Sequence, residues 1–308
     1  LTTTHLALVG PTASGKSALA LGVARVLDDV EIVSMDSMQV YRGMDIGTAK
    51  ATKEERLEVP HHLIDVIEPS EQWSVQRFQA MARAAVTDIE RRGKRALLVG
   101  GTGLYVQAVI DDLRFPGEDL DLRAELEART ADPGGVAAAY AELERADPDA
   151  AAKIDPHNVR RIVRALEVIR LTGRPFSSFG PGIQRYGPTA FPVEIAGVWI
   201  PRDALAARIT DRFAAMRGAG LVEEVEALGR RGEISRTARQ AIGYKEILGY
   251  LGGGEPSIDA ALDAAIRRTR SFARRQRMWF RRDPRITWFG VAEKSERLLP
   301  ALLASWSR

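Results

Sequence analysis

Short apolar runs alternate with stretches of helical periodicity along the first part of the chain. Residues 6–9, 31–35, 62–66, 96–99 and 193–200 have the composition of strands. Residues 17–27, 74–92 and 103–111 instead repeat apolar side chains at three- and four-residue spacing. Strands and helices in this rhythm predict a parallel sheet with helices on both faces, and ligands then gather at the carboxyl ends of the strands. Between 115 and 192 the rhythm stops. Helical patterns over 122–130, 136–146 and 158–171 are accompanied by Asp-Pro steps at 132–133, 147–148 and 155–156, which suit helix starts. Residues 173–192, rich in Gly, Pro and Ser, read as a loop returning to the sheet. Helices over 202–216, 221–230, 238–250 and 258–281 follow, and a last strand at 286–289 closes the sheet edge. The expected fold is α/β, with a core in two parts, 1–114 and 193–308, and a small all-helical insertion over 115–192.

One motif changes this picture from architecture to chemistry. Residues 10–17 read Gly-Pro-Thr-Ala-Ser-Gly-Lys-Ser, a complete phosphate loop between an apolar strand and a helix, so the core is P-loop NTPase-like. Gly10 and Gly15 allow the backbone of Pro11, Thr12, Ala13 and Ser14 to turn its amides inward around an anion. Lys16 brings a positive charge to the phosphates, and the Ser17 hydroxyl suits a Mg²⁺ ion. The loop therefore wraps a diphosphate or a triphosphate.

Phosphoryl transfer on such a loop normally uses a second acid at the end of a neighbouring strand. Here the run Ala96-Leu-Leu-Val99 ends in Gly100-Gly-Thr-Gly103, with no carboxylate. Asp36, after the second strand, is the acid on the same rim; it reads as a general base, as a holder of metal through water, or as a helix-capping or turn residue. Thr102 puts a hydroxyl on that rim, or caps the helix after it. Arg208 and Arg212, four apart on one helix face, read as a solvated face or as an anion clamp.

Composition narrows the partners. The 308-residue chain carries 44 Lys and Arg against 41 Asp and Glu, a net charge of only +3, yet its arginines cluster. Arg160, Arg161, Arg164, Arg170 and Arg174 form one group, and eight arginines between 267 and 282 form another. Two such groups favour a polyanion, nucleic acid above all. The chain has no cysteine, which excludes disulfides and a cysteine zinc site. It enters its first strand at His5, and its longest apolar stretch is broken by Gly100, Gly101, Thr102 and Gly103. A cytoplasmic protein with no signal peptide and no membrane span is expected. Three classes remain on these grounds: an enzyme transferring a group from a diphosphate, a small-molecule or nucleotide kinase, and a non-catalytic RNA-binding protein.

The ordered set Gly10–Ser17, Asp36-Ser-Met-Gln39, Gly43-Met-Asp-Ile-Gly-Thr-Ala-Lys50, Gly100-Gly-Thr-Gly-Leu-Tyr105, Arg164-Ala-Leu-Glu-Val168, Gln240-Ala-Ile-Gly-Tyr-Lys-Glu246, Arg274-Arg-Gln276 and Trp279-Phe-Arg281 resembles the bacterial tRNA dimethylallyltransferases over nearly the whole chain. The resemblance implies transfer of a dimethylallyl group from its diphosphate to N6 of the adenine 3′ to the anticodon, by a monomer using Mg²⁺. It implies catalytic roles for Asp36, Lys16, Arg212 and Thr102, with Arg212 joining the phosphate loop on the diphosphate. It implies tRNA contacts from Asp36, Ser37, Met38, Gln39 and Thr102, and from Arg123, Arg160, Arg161, Ile162, Val163 and Arg164. Further contacts are implied at Gln240, Gly243, Tyr244 and Lys245, and at Arg274, Arg275, Gln276, Arg277, Trp279 and Arg281. The target base must leave its stack to reach the site.

Overall fold

A computed structural model of the chain describes residues 3–111, 113–179, 183, 186–291 and 293–306. It divides into two compact units: Leu1–Asp112 together with Tyr186–Arg308, and Leu113–Arg185. The second unit begins and ends a few residues earlier than the 115–192 drawn from the sequence. Parts of the expected return loop, 180–182 and 184–185, lie outside the described residues.

The first unit is built on six strands: β1 (His5–Val9), β2 (Val30–Ser34), β3 (His61–His62), β4 (Arg95–Gly100), β5 (Val193–Trp199) and β6 (Ile286–Gly290). They form one sheet in the order β3-β2-β4-β1-β5-β6 with every pairing parallel. All five residues of β1 are buried, four of them apolar, as a central strand covered on both faces should be. His5 extends the ladder with its ring, Nδ1 accepting from the Ala96 amide at 3.0 Å, and burial keeps its pKa below the ordinary value. Val9 lies opposite Gly100 and Gly197, and Ser34 opposite Val99, so the carboxyl ends of β1, β2, β4 and β5 reach one rim together. The third strand is shorter than the expected 62–66. Leu63 and Asp65 adopt left-handed backbone angles, φ 63° and 55°, which stop strand pairing after His62.

Helices α1 (Lys16–Val26), α2 (Lys53–Glu58), α3 (Val75–Arg91) and α4 (Gly103–Ile110) belong to the first unit. Helices α5 (Leu120–Ala131), α6 (Gly135–Ala146), α7 (Pro148–Ala151) and α8 (Val159–Thr172) form the second. Helices α9 (Arg202–Gly218), α10 (Leu221–Arg230), α11 (Arg236–Arg239), α12 (Tyr244–Leu251), α13 (Ile258–Phe280) and α14 (Leu299–Trp306) complete the first. The α3 pattern shows why such segments are helical: Phe78, Ala82, Val86 and Ile89 return to one buried face, and Ser74 caps the Arg77 amide. The helix expected over 238–250 divides into α11 and α12, because Gly243 at φ 94° cannot continue a right-handed helix. Among the described residues no helix is long and apolar enough to cross a membrane.

The helical unit has its own core of Leu126, Leu143, Ile162, Val163 and Leu166. Asp147 ends α6, caps the Ala150 amide of α7 and accepts from the backbone and hydroxyl of Ser177 at 2.7 Å each. The buried Glu167 carboxylate is held by Arg123 and Arg164, each at 3.0 Å.

In the first unit, Glu224 on α10 fixes the segment between Tyr41 and Lys50. Its carboxylate accepts the amides of Asp45, Ile46 and Gly47 at 2.9, 2.8 and 3.2 Å and the Tyr244 hydroxyl at 2.5 Å. Burial and that neighbouring carboxylate push the Tyr244 phenol well above its ordinary pKa, so it stays a donor. Glu224→Ala should cost roughly 2–3 kcal/mol in urea unfolding, because three amides and a buried phenol lose one charged acceptor. An unchanged midpoint would show that water replaces the carboxylate without penalty.

Candidate active site

The loops after β1, β2 and β4 surround a cavity of about 1010 Å³ at the carboxyl rim of the sheet. Residues 12–18 of the phosphate loop and α1 form one wall, Asp36 and Gln39 another, and Gly100 and Gly101 a third. Arg208, Arg212, Phe272 and Gln276 reach in from α9 and α13.

The loop itself has the conformation its glycines allow. Gly10 and Gly15 lie at φ 148° and 83°, and Ala13 between them is left-handed at 60° despite its side chain, strain that is typical of a functional turn. Gly15 has a second reason to be glycine, since an added Cβ would overlap the Ser295 side chain. Lys16 turns back along the loop, its ammonium donating to Pro11 O at 2.7 Å and reaching Ser14 Oγ at 3.5 Å. Arg212, from α9, donates to the Thr12 hydroxyl at 3.1 Å. Two cations thus converge on the loop from elements about 200 residues apart in sequence.

Lys16 is buried and Arg212 half-buried, and the charge of both is disfavoured. Burial pushes the Lys16 ammonium down to about 8, with Asp36 pulling it up and Arg212 pushing it further down. Burial likewise lowers Arg212, again against the pull of Asp36. The site holds excess positive charge in a poorly solvated place, which is what an anion relieves. Asp36 is the acid that both cations feel. One of its oxygens accepts the Met38 amide at 2.8 Å, so the carboxylate is oriented by its own turn while facing the cation pair electrostatically. The turn contact therefore leaves room for the base role considered for Asp36.

Thr102 stands at the start of α4, where its carbonyl accepts the Tyr105 and Val106 amides, but its hydroxyl makes no capping bond. Capping therefore does not account for that hydroxyl. Gln39 is anchored through Ser34 Oγ at 2.8 Å and through the carbonyls of Thr48 and Ala49. Ser37 and Met38 are half-buried beside it.

Helix α13 ties the loops together. The buried Gln276 accepts the Thr12 amide at 2.8 Å and donates to Gly101 O at 2.8 Å. One turn on, Trp279 lies so close to Gly103 that any side chain there would collide with the indole. Ser17, in the first turn of α1, is exposed at the cavity wall. Among the described residues no group of three or more His, Cys, Asp or Glu could enclose a metal ion. The donors offered to Mg²⁺ are the Ser17 hydroxyl and, through water, the Asp36 carboxylate, a set that fits an ion keeping waters and sharing phosphate oxygens.

Several residues expected to touch tRNA serve the fold through their side chains. Tyr244 is fully buried on Glu224, and the Gly243 amide donates to Glu246 at 2.7 Å. Gln276 is spent on the two loops, and Arg277 stacks over Trp199 at 3.9 Å while donating to Ile200 O. In the helical unit Ile162 and Val163 are core, and Arg123 and Arg164 pair with buried Glu167. Arg160 and Arg161 there, and Arg274, Arg275 and Arg281 on the other unit, are exposed; Gln240 and Lys245 are exposed and bonded to each other at 3.3 Å. Arg208, read from the sequence only as a solvated face or an anion clamp, and Glu224 and Ser295, which the sequence did not single out, take their places through contacts distant in sequence.

A family model described as IPP transferase matches residues 39–283. The chain belongs to the IPP transferase family. Within this family it is 50% identical over 299 residues to the tRNA dimethylallyltransferase of Kineococcus radiotolerans, covering 95% of this chain and 92% of the relative. It is 52% identical over 290 residues to that of Salinispora arenicola, covering 94% and 83%. Among solved structures, the tRNA isopentenylpyrophosphate transferase of Bacillus halodurans superposes with a TM-score of 0.72 at 42% identity, over 99% of this chain and 95% of that one. A eukaryotic dimethylallyltransferase acting on tRNA gives a TM-score of 0.79 at 26% identity, over 99% and 78%. The six-stranded parallel core with its phosphate loop is thus the fold of IPP transferases.

The depressed Lys16 carries a pH signature for this IPP transferase. In the free protein Lys16 loses its proton near pH 8, and a bound anion favours the ammonium and raises that value. Affinity for inorganic diphosphate is therefore full below about 8 and falls as pH rises through it. Calorimetric titrations between pH of about 7 and 9.5 should show this decline, and Lys16→Met should remove it along with most of the affinity. A flat wild-type profile would mean that Lys16 is not the group bearing on the anion.

Proposed function

We propose that this protein transfers a dimethylallyl group from dimethylallyl diphosphate to N6 of the adenine 3′ to the anticodon in tRNA, releasing diphosphate. The observation that carries this reading is the pairing of Lys16 and Arg212 on the phosphate loop with the carboxylate of Asp36, while β4 ends in glycine where a nucleotide-hydrolysing enzyme keeps an acid. Relatives of about 50% identity over more than nine-tenths of the chain bear the corresponding name.

The residues divide the work by charge. When the allylic C–O bond breaks, negative charge grows on the departing diphosphate, and loop amides, Lys16 and Arg212 are already fixed where it grows. Bound Mg²⁺, held through Ser17 and water, would add charge stabilisation to the same leaving group. The adenine amino group is a poor nucleophile because its lone pair is delocalised into the ring. As its nitrogen bonds to the allylic carbon it must lose a proton, and Asp36 is the carboxylate placed to take it. The Met38 amide holds one carboxylate oxygen, which leaves the other for that proton. The unused Thr102 hydroxyl is the polar group on the β4 side that would orient the entering base. Exposed Arg274, Arg275 and Arg281, and Arg160 and Arg161 of the helical unit, supply charge for the tRNA backbone.

Asp36→Asn should lower the single-turnover transfer rate by roughly 10²- to 10⁴-fold, the range of a lost general base. The affinities for inorganic diphosphate and tRNA should stay within a few-fold. Full turnover by this variant would remove Asp36 from the chemistry and with it the mechanism above.

A further inference from the structure

The segment between β6 and α14 belongs to the phosphate-loop wall. Ser295 is buried against Gly15, its hydroxyl 3.5 Å from Gly15 O, and the turn Ser295–Leu298 packs on α1. Arg208 donates to the carbonyl of Glu293. The chain is therefore anchored on both sides of Lys294, at Glu293 by the helix that also carries Arg212 and at Ser295 by the loop itself. Both anchors, and Lys294, lie beyond the residues matched by the family model.

Lys294 lines the cavity with Lys16, Arg208 and Arg212, four cations against two lining carboxylates, Asp36 and Glu296. Its ammonium makes no ion pair or hydrogen bond among the described residues, in contrast to Arg297, whose guanidinium pairs with Glu293 at 2.5 Å. An unpaired lysine beside three like charges adds repulsion that an anion at the loop would reverse. Its backbone is fixed between two anchors while its side chain is long and mobile. A point charge on such a stem suits a phosphate oxygen whose exact position varies.

We propose that Lys294 is a further ligand of the diphosphate, reaching its phosphate oxygens from the segment that covers Gly15, with Arg208 as the residue that positions that segment. This rests on the reading of the loop as a diphosphate grip. The bland alternative is a solvated lysine at the cavity mouth, contributing only to the general field.

The test is calorimetric titration of the full chain with inorganic diphosphate in buffer containing Mg²⁺. Lys294→Ala should bind roughly 5- to 20-fold more weakly, Lys294→Arg should recover most of the affinity, and tRNA affinity should not change. Arg297→Gln, which removes a neighbouring cation that does not line the cavity, should bind as the wild type does. Equal binding by Lys294→Ala and wild type, or equal weakening by Lys294→Ala and Arg297→Gln, would overturn the assignment and leave the diphosphate reading standing. Failure of the wild type to bind diphosphate would overturn that reading itself.

Discussion

The constraint on which the rest of the site depends is the placing of two cations, buried Lys16 and half-buried Arg212, against one loop. Burial lowers both below their ordinary pKa values, and one nearby carboxylate, Asp36, offsets the cost only in part. A fold keeps such an arrangement where an anion completes it. Much of the surrounding structure secures the two charges. The Gln276 amide joins the phosphate loop to the Gly101 corner, Trp279 presses on Gly103, and the turn at Ser295 closes over Gly15.

The same economy explains why a phosphate loop need not mean nucleotide hydrolysis. Strand β4 ends at Gly100 close against Met35, so the position where a second acid would stand is occupied by backbone packing. Asp36 lines another wall of the same cavity as the loop's cations, where a proton acceptor is useful. An allylic diphosphate needs charge stabilised at one end and a proton removed at the other. On the proposed function, the cavity would divide those two tasks between its walls.

The parts of this arrangement written in contiguous residues were legible in the sequence. The phosphate loop is legible because spaced glycines and one lysine dictate a backbone shape, and the strands because a sheet buried on both faces demands apolar runs. Arg212 was reachable only through family resemblance, since nothing local distinguishes it from Arg208. Gln276 shows the limit: its partners are 264 and 175 residues away, so a glutamine that locks two loops reads like one displayed to RNA. The pairing of Arg123 and Arg164 is hidden for the same reason, because the Glu167 carboxylate that holds both is buried by a core that local charge patterning does not reveal. The short β3 depends on two left-handed residues, Leu63 and Asp65, whose side chains give no warning of that conformation.

The stoichiometry of the released phosphate compound tests the central claim most directly. Purified protein, unmodified tRNA, Mg²⁺ and dimethylallyl diphosphate, with no nucleoside triphosphate present, should yield one diphosphate for each N6-dimethylallyladenosine found by mass spectrometry beside the anticodon. A requirement for a nucleoside triphosphate, or release of orthophosphate in step with the modification, would contradict it.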